Sequence, residues 1–175
     1  VADICESGCT SNSTASWKTI LVGSYGTGAR GYYALDVTNP ASPTVLWEFT
    51  TTPVSLGGSA IRGDADVGYA TGQAVITKDG SGAWVVLVAS GYNNSNGSTS
   101  TNGDGQGYLY VLNPMTGAVL KKIGTGAGAP ATPSGFAKFS AWVDAPSVNN
   151  TTRYVYGGDL LGNLWRFDIN TTSGT

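Results

Sequence analysis

One short pattern occurs three times along the chain. It reads RGYYALD at residues 30–36, GYLYVLN at 107–113 and GNLWRFD at 162–168. Each copy has an aromatic residue three positions before its final Asp or Asn, and Leu or Phe one position before it. A second β-branched or apolar stretch and a glycine-containing loop precede every copy, as in antiparallel hairpins. We therefore predict that the chain repeats one antiparallel β unit.

The strands around these copies divide into four-stranded units. With the strands of a unit lettered A to D, the chain reads B, C, D, then A, B, C, D, then A, B, C. Such repeats at roughly 40–50 residues, lengthened here by polar insertions, indicate an all-β fold, a partial β-propeller of about three blades. The predicted organisation is an irregular segment at 1–16, a partial blade at 17–52, a complete blade at 67–125 and a partial blade at 136–175.

The stretch GTGARG at 26–31 matches the spacing of a dinucleotide-binding glycine loop. Such a loop needs a helix after it, because the helix N-terminus supplies the amide donors that hold the phosphates. YYALDV follows instead, and then a segment with two prolines, which predicts a strand and a turn. The glycines are therefore interpreted as a chain reversal between two strands.

Composition excludes several functions. Charged residues make up 11% of the chain, with 9 Lys and Arg against 11 Asp and Glu. So few cations argue against nucleic acid or an anionic membrane as a partner. The sequence contains no histidine, which removes imidazole-based catalysis and most zinc sites. It also has no apolar run long enough to span a bilayer.

The two cysteines stand in CESGC near the start of the chain. A disulfide between Cys5 and Cys9 is the favoured interpretation, with a free or metal-bound pair as the alternative. The chain begins with Val1 and not with Met. We interpret it as a processed or excised piece of an exported protein.

Two families share motifs with the chain. VLNPMTGAVLK at 111–121 resembles the blade-ending motif of quinoprotein propellers, although Lys121 stands where that motif has a docking tryptophan; the first copy does have Trp47. WKTILVGSYGTGARGYYALDVTNP, WVVLVASGYNN, GYLYVLNPMTG and YVYGGDLLGNLWRFDI together resemble the C-terminal propeller of the PilY family of type IV pilus proteins. The second resemblance covers nearly the whole chain.

The PilY resemblance implies blades of a larger ring, about seven or eight in number and quinoprotein-like. It implies a non-enzymatic protein at the bacterial outer surface and pilus tip, which supports pilus assembly, twitching motility and adhesion. The implied partners are minor pilins or the tip complex, the missing blades of the same protein and a host surface receptor. A quinoprotein dehydrogenase and a generic extracytoplasmic scaffold are the alternative functions.

Calcium is the one cofactor that the resemblance implies, in a loop of alternating Asp and Asn before YVYGGD. Asp144 and Asn149 are the candidate ligands there, but Arg153 occupies the place of the last Asp. Calcium needs six to eight oxygens, several of them anionic, so this loop predicts a poor site. A second candidate loop has Ser100, Asn102 and Asp104 in alternation and lacks the final Glu of an EF-hand.

Other residues invite a functional interpretation. Arg62, Gly63 and Asp64 spell the tripeptide that integrins recognise on flexible loops, which makes them candidate adhesion residues. The recurrent Asp36, Asn113 and Asp168 are interpreted as caps of the turn after strand C rather than as catalytic groups, because a residue needed in each blade has a structural role. Asp159 is predicted to cap the preceding hairpin.

Overall fold

The structure, a computed structural model, describes residues 1–7, 9, 15–58, 60–95 and 103–171. Three antiparallel sheets contain most of the strands in this part of the chain. The first contains β1 (Ala2–Ser7), β2 (Ser16–Ser24), β3 (Gly31–Asp36) and β4 (Thr44–Thr50), in that spatial order. A short hairpin of β5 (Val54–Ser55) and β6 (Ile61–Arg62) follows. No helix occurs within the described ranges.

The second sheet contains β7 (Val75–Lys78), β8 (Trp84–Ala89), β9 (Tyr108–Leu112) and β10 (Val119–Gly124), also in sequential order. The third contains β11 (Lys138–Val143), β12 (Thr152–Gly158) and β13 (Leu164–Phe167). Consecutive antiparallel strands in sequential order are the arrangement of propeller blades. The prediction of an all-β partial propeller is therefore confirmed.

The N-terminal segment differs from its prediction. Residues 1–16 were expected to be irregular, yet β1 pairs with β2 and completes the first sheet, so the first unit has four strands and not three. Ile4 on β1 lies opposite Lys18 and is buried. Burial of this side chain against the core favours strand over loop at a position where the adjacent cysteines gave no periodic pattern.

The glycine loop is a chain reversal, as predicted. β2 ends at Ser24 and β3 begins at Gly31, and the amide of Tyr25 donates to the carbonyl of Gly31 across the loop at 3.1 Å. Gly31 has φ of +145°, and a Cβ there would lie 2.5 Å from the carbonyl oxygen of Phe49. Glycine is required because the neighbouring strand approaches too closely for a side chain.

The repeat occupies one register in all three sheets. In each sheet the aromatic residue of the repeat pairs with the equivalent residue of the preceding strand. The pairs are Gly23 with Tyr33, Val88 with Tyr110 and Gly157 with Trp165. The sequence alignment is thus also a structural alignment. It allows equivalent positions to be compared between the sheets.

Two apolar cores lie between the sheets. β8 contributes to both, because Val86 and Val88 enter the core shared with the first sheet while Val85 and Leu87 enter the core shared with the third. A strand with both faces covered can be almost continuously apolar, since neither face meets water. This explains the run WVVLVA, which shows no alternation.

The recurrent acidic and amide residues cap turns. The Oδ1 atoms of Asp36, Asn113 and Asp168 accept hydrogen bonds from the amide two positions on, at 3.0, 2.9 and 2.9 Å. Asp159 similarly accepts from the amides of Leu161 and Asn163 between β12 and β13. These contacts confirm the predicted capping role.

Asp36 also accepts a hydrogen bond from the Lys18 ammonium at 2.8 Å. Hydrogen bonds from Lys18 and Thr38 lower the pKa of Asp36 to about 2, from 3.8. Because the folded pKa lies below the unfolded one, this stabilisation is present above about pH 4 and is lost as the pH falls towards about 2. We expect the free energy of unfolding of Asp36→Asn to fall less steeply over that interval than that of the parent protein, measured by urea titration at each pH. Parallel pH profiles would contradict this assignment.

Candidate functional site

Two of the predicted motifs meet around one lysine. Lys122 on β10 contacts Asp64, which follows β6, and Asp66 two residues later; its Nζ lies 2.8 Å from Oδ1 of Asp64 and also bonds Oδ2 of Asp66. Asp104 joins through its backbone amide, which donates to Oδ1 of Asp66 at 2.6 Å. We call Lys122 with Asp64, Asp66 and Asp104 the Lys122 cluster. It joins the segment after β6 and the segment before β9 to the second sheet.

Tight backbone turns place these carboxylates. Gly63 has φ of +88°, and a Cβ there would lie 2.4 Å from the carbonyl oxygen of Thr52. Gly103 has φ of +86°, and a Cβ would lie 2.0 Å from the carbonyl oxygen of Asn94. Both positions need glycine for conformation and for space. The glycines of the two motifs therefore act by turning the following Asp inwards.

Two tyrosines line the cluster. The hydroxyl of Tyr110 donates to Oδ1 of Asp64 at 3.2 Å, and that of Tyr108 donates to Oδ2 of Asp104 at 2.6 Å. The Lys122 ammonium lies 4.2 Å from the centre of the Tyr108 ring, within cation–π range. Burial, followed by the charges of Asp64 and Asp66, raises the pKa of Tyr110, so this hydroxyl remains a donor at neutral pH.

Burial and charge oppose each other in the cluster. Burial raises the pKa of the Asp66 carboxyl, and the hydrogen bond from Lys122 partly offsets that effect. Burial alone lowers the pKa of Lys122, but its hydrogen bonds to Asp64 and Asp66 outweigh burial, and the net shift is upwards. Lys122 is therefore firmly protonated, and its ammonium is the cation that neutralises the carboxylates.

The charged groups of the Lys122 cluster are bonded to other groups of the protein. Oδ1 of Asp64 accepts from Lys122, from Tyr110 and from the amide of Asp66 at 2.9 Å. No group of three or more His, Cys, Asp or Glu residues in the described part of the chain is arranged to hold a metal ion. The arrangement is suited to fastening loops, since each charge has a partner inside the protein.

The adhesion tripeptide lies within this framework. Arg62 belongs to β6, Gly63 is buried, and the Asp64 carboxylate faces Lys122. This geometry does not favour display on a flexible loop, and adhesion through these residues stays a prediction. In the second candidate calcium loop, Ser100 and Asn102 lie outside the described residues. Asp104 lies inside them and bonds Gln106 and Tyr108.

The other predicted calcium loop connects β11 to β12. The Asp144 carboxylate accepts from Nη1 of Arg153 at 2.9 Å and from Nε1 of Trp142 at 2.8 Å. Oδ1 of Asn149 accepts from the amide of Thr151 at 3.1 Å. A guanidinium on the only carboxylate of the loop does not fit a calcium site, because it supplies positive charge where the ion would lie.

The predicted disulfide pair is joined in the structure. Cys5 and Cys9 have their Cα atoms 5.7 Å apart and their sulfur atoms at bonding distance. Cys5 lies on β1, at the edge of the first sheet. The bridge thereby closes a short loop directly after the strand that the sequence interpretation missed.

A tryptophan and a lysine occupy equivalent positions between the sheets. Trp47 on β4 pairs with Ala34, and its Nε1 donates to the carbonyl of Pro114, in the turn between β9 and β10, at 2.8 Å. Lys121 on β10 pairs with Val111, and its Nζ donates to the carbonyl of Ile169 beyond the third sheet at 2.6 Å. The acceptors also correspond, since each carbonyl belongs to the residue after the turn cap. Lys121 therefore replaces the docking tryptophan as a donor between sheets.

The protein-family model described as the PilY1 beta-propeller domain matches residues 5–174 of the chain. The chain belongs to the PilY1 β-propeller family. The resemblance of its segments to the PilY family is thereby confirmed.

Similar PilY1 proteins are much longer than this chain. The type IV pilus biogenesis factor PilY1 of Pseudomonas aeruginosa PAO1 is 30% identical over 154 residues, which are 88% of this chain and 12% of that protein. A PilY1 homolog of Xylella fastidiosa is 32% identical over 165 residues, 89% of this chain and 10% of that protein. The crystal structure of the P. aeruginosa PilY1 C-terminal domain aligns with a TM-score of 0.64 at 30% identity, covering 87% of this chain and 27% of that one. The chain thus spans a small part of its PilY1 relatives.

Proposed function

We propose that the chain is a non-enzymatic arc of the propeller in a type IV pilus biogenesis factor, which packs against further blades of the same protein. The observation that supports this most directly is the outer face of the third sheet, which comprises Trp142, Tyr154, Tyr156, Leu164 and Arg166. Trp142, Tyr156 and Leu164 are 58%, 38% and 78% exposed. These are large side chains to leave in water on one sheet face.

The strand register supports the next blade as the partner that covers this face. Tyr156 and Leu164 occupy the positions that Leu87 and Leu109 occupy in the second sheet. Leu87 and Leu109 are fully buried against the third sheet. By the same geometry, the outer face of the third sheet is the surface on which the next blade of the ring packs. A blade is the occupant because each sheet here covers the face of its predecessor.

The next blade differs in chemistry from those present. Arg166 occupies the position of the buried Val111, and its guanidinium lies 5.0 Å from the centre of the Tyr154 ring. A buried guanidinium needs acceptors, so the covering surface carries a carboxylate or carbonyl groups opposite Arg166. This contact would be more polar than the two cores described above.

The assembled ring would act at the bacterial outer surface and the pilus tip. There it would support pilus assembly, twitching motility and adhesion, with minor pilins or the tip complex as partners and a host surface receptor as ligand. The relatives that are named pilus biogenesis factors support this assignment. No helix in the described residues is long and apolar enough to span a membrane.

The test uses the full-length protein in a strain that lacks the native copy. We expect Leu164→Asp to reduce surface pili and twitching at least several-fold, because a buried unpaired carboxylate prevents the next blade from packing. Leu120→Asp is the matched control, since Leu120 is 52% exposed on β10 although the second sheet already has a neighbour on each face, and its substitution should leave piliation unchanged. Normal protein level and normal piliation with Leu164→Asp would overturn the proposed packing.

Two further measurements address the alternative functions. A quinoprotein dehydrogenase would carry a quinone, so the purified full-length protein would absorb at wavelengths longer than the protein absorption band. A pilus propeller would show only the protein band. A periplasmic scaffold would be labelled at the cell surface neither with nor without assembled pili. We expect surface labelling that depends on pili, and its absence would favour the scaffold.

A further inference from the structure

The β11–β12 loop, residues 144–151, fastens the third sheet to the second. The carbonyl of Asn150 accepts from the amide of Lys78 at 2.8 Å and from the hydroxyl of Thr77 at 2.7 Å. Thr151 forms an isolated parallel bridge with Lys78. The loop also lines a cleft of about 310 Å³ between the two sheets, which Gly80 and Asn170 complete. Its conformation therefore affects how the two blades meet.

Internal donors hold this loop in shape. The carbonyl of Ala145 accepts from the amides of Val148 and Asn149, at 2.9 and 3.0 Å. The Asn149 side chain accepts from the amide of Thr151. The Asp144 carboxylate uses one oxygen for Trp142 and the other for Arg153. Both oxygens of the only carboxylate in the loop are thus already bonded to donors of the protein.

Arg153 performs the electrostatic role of a bound cation. Its hydrogen bond to Asp144, followed by that of Trp142, lowers the pKa of the carboxyl and keeps it ionised. The guanidinium thereby connects Asp144 at the start of the loop to Arg153 on β12. A metal ion with ligands at both ends of the loop would make the same connection. The guanidinium also repels divalent cations, so it disfavours calcium at the Asp144 carboxylate.

We propose that the 144–153 region is a metal-independent clamp between two blades, in which the Arg153 guanidinium takes the place of a calcium ion. The contact between the second and third sheets then does not respond to the extracellular calcium concentration. This inference concerns regulation and is independent of the proposed pilus function. It also predicts that one substitution converts the clamp into a calcium site.

The experiment compares the parent full-length protein with Arg153→Asp and Arg153→Gln. Terbium reports calcium sites by luminescence. The Trp142 indole can sensitise terbium bound in this loop, because it lies within hydrogen-bond distance of Asp144. We expect Arg153→Asp to show sensitised terbium emission that calcium displaces with a dissociation constant of about 0.1–1 mM, the range of weak extracellular sites. At 10 mM calcium its Tm should rise by about 4 °C relative to EGTA.

The controls separate the charge from the lost ion pair. Arg153→Gln removes the guanidinium without adding a carboxylate, so it should show no displaceable emission from this loop. Its Tm should fall by about 2 °C or less, because an exposed ion pair contributes little to stability. Adding Trp142→Phe to Arg153→Asp should abolish the emission that comes from the loop.

Two results would overturn the proposal. One is emission from the parent protein that calcium displaces and that Trp142→Phe removes, because it would show that the native loop binds the ion. The other is folded Arg153→Asp protein without calcium binding, because Arg153 would then not be what excludes the ion. Should Arg153→Asp fail to fold, Arg153→Glu supplies the same charge, and the parent arm tests metal independence by itself.

Discussion

Replacing Trp47 with alanine is expected to lower the free energy of unfolding by about 3–5 kcal/mol, the usual cost of truncating a buried tryptophan. Trp47 is 1% exposed and belongs to the core between the first and second sheets. Its ring also closes over Gly117, where a Cβ would lie 2.8 Å from the indole. The substitution therefore removes apolar packing and the hydrogen bond to Pro114 together. Urea unfolding followed by circular dichroism measures the loss.

Trp17→Ala is the matched control for this prediction. Trp17 is also on a strand of the first sheet but is 52% exposed, so we expect its truncation to change stability by about 1 kcal/mol or less. A loss at Trp47 no larger than that at Trp17 would show that the first two sheets do not depend on this docking contact. Trp47 and Lys121 would then occupy equivalent positions without contributing measurably to the free energy of unfolding.

Replacing Lys122 with methionine is expected to cost about 2–3 kcal/mol at pH 7, because it leaves half-buried carboxylates without their cation. The side chains of Lys122, Asp64 and Asp66 are 30%, 23% and 12% exposed, so solvent screens part of the effect. Burial already raises the pKa of Asp66, and loss of Lys122 would raise it further. The penalty arises from the charged form, so it should shrink as the pH falls to about 4 and the carboxyl takes up a proton.

The controls distinguish charge from packing. Adding Asp66→Asn to Lys122→Met should recover part of the lost stability at pH 7, since the amide carries no charge. Lys138→Met removes an exposed lysine from β11 and should have little effect. An equal loss for Lys122→Met at pH 7 and pH 4, without recovery in the double variant, would contradict this assignment, because the penalty would then not arise from the uncompensated charge of Asp66.

Local features of the fold were readable from the sequence. The three copies of the aromatic pattern share a register because each is one strand of the same hairpin geometry. The caps at Asp36, Asn113 and Asp168 were predictable because their hydrogen bonds reach only two residues along the chain. The glycine loop was assigned correctly because the residues after Gly31 form a strand. Each of these interactions is decided within a few positions.

The prediction of an irregular segment at β1 was wrong because the local apolar pattern of this strand is too short. β1 carries a cysteine and several polar residues, and its burial pattern shows only Ile4 and Cys5 covered. A strand with so short an apolar pattern is recognisable only when its partner is known. Its partner β2 has an irregular pairing near Cys5 and Ser7, which sequence periodicity does not indicate.

The sequence by itself determined the blade architecture and the turn caps, because hydrophobic pattern and turn chemistry act over short stretches and repeat with the blade. It also carried the segments that resemble the PilY family. Tertiary structure alone decided which charges meet. Lys122 and Asp64 are 58 positions apart, and nothing local to either residue specifies their contact. The same holds for the donation from Lys121 to Ile169, 48 positions away. Ion pairs and docking contacts between blades depend on how whole sheets pack, so their partners became visible only in the folded chain.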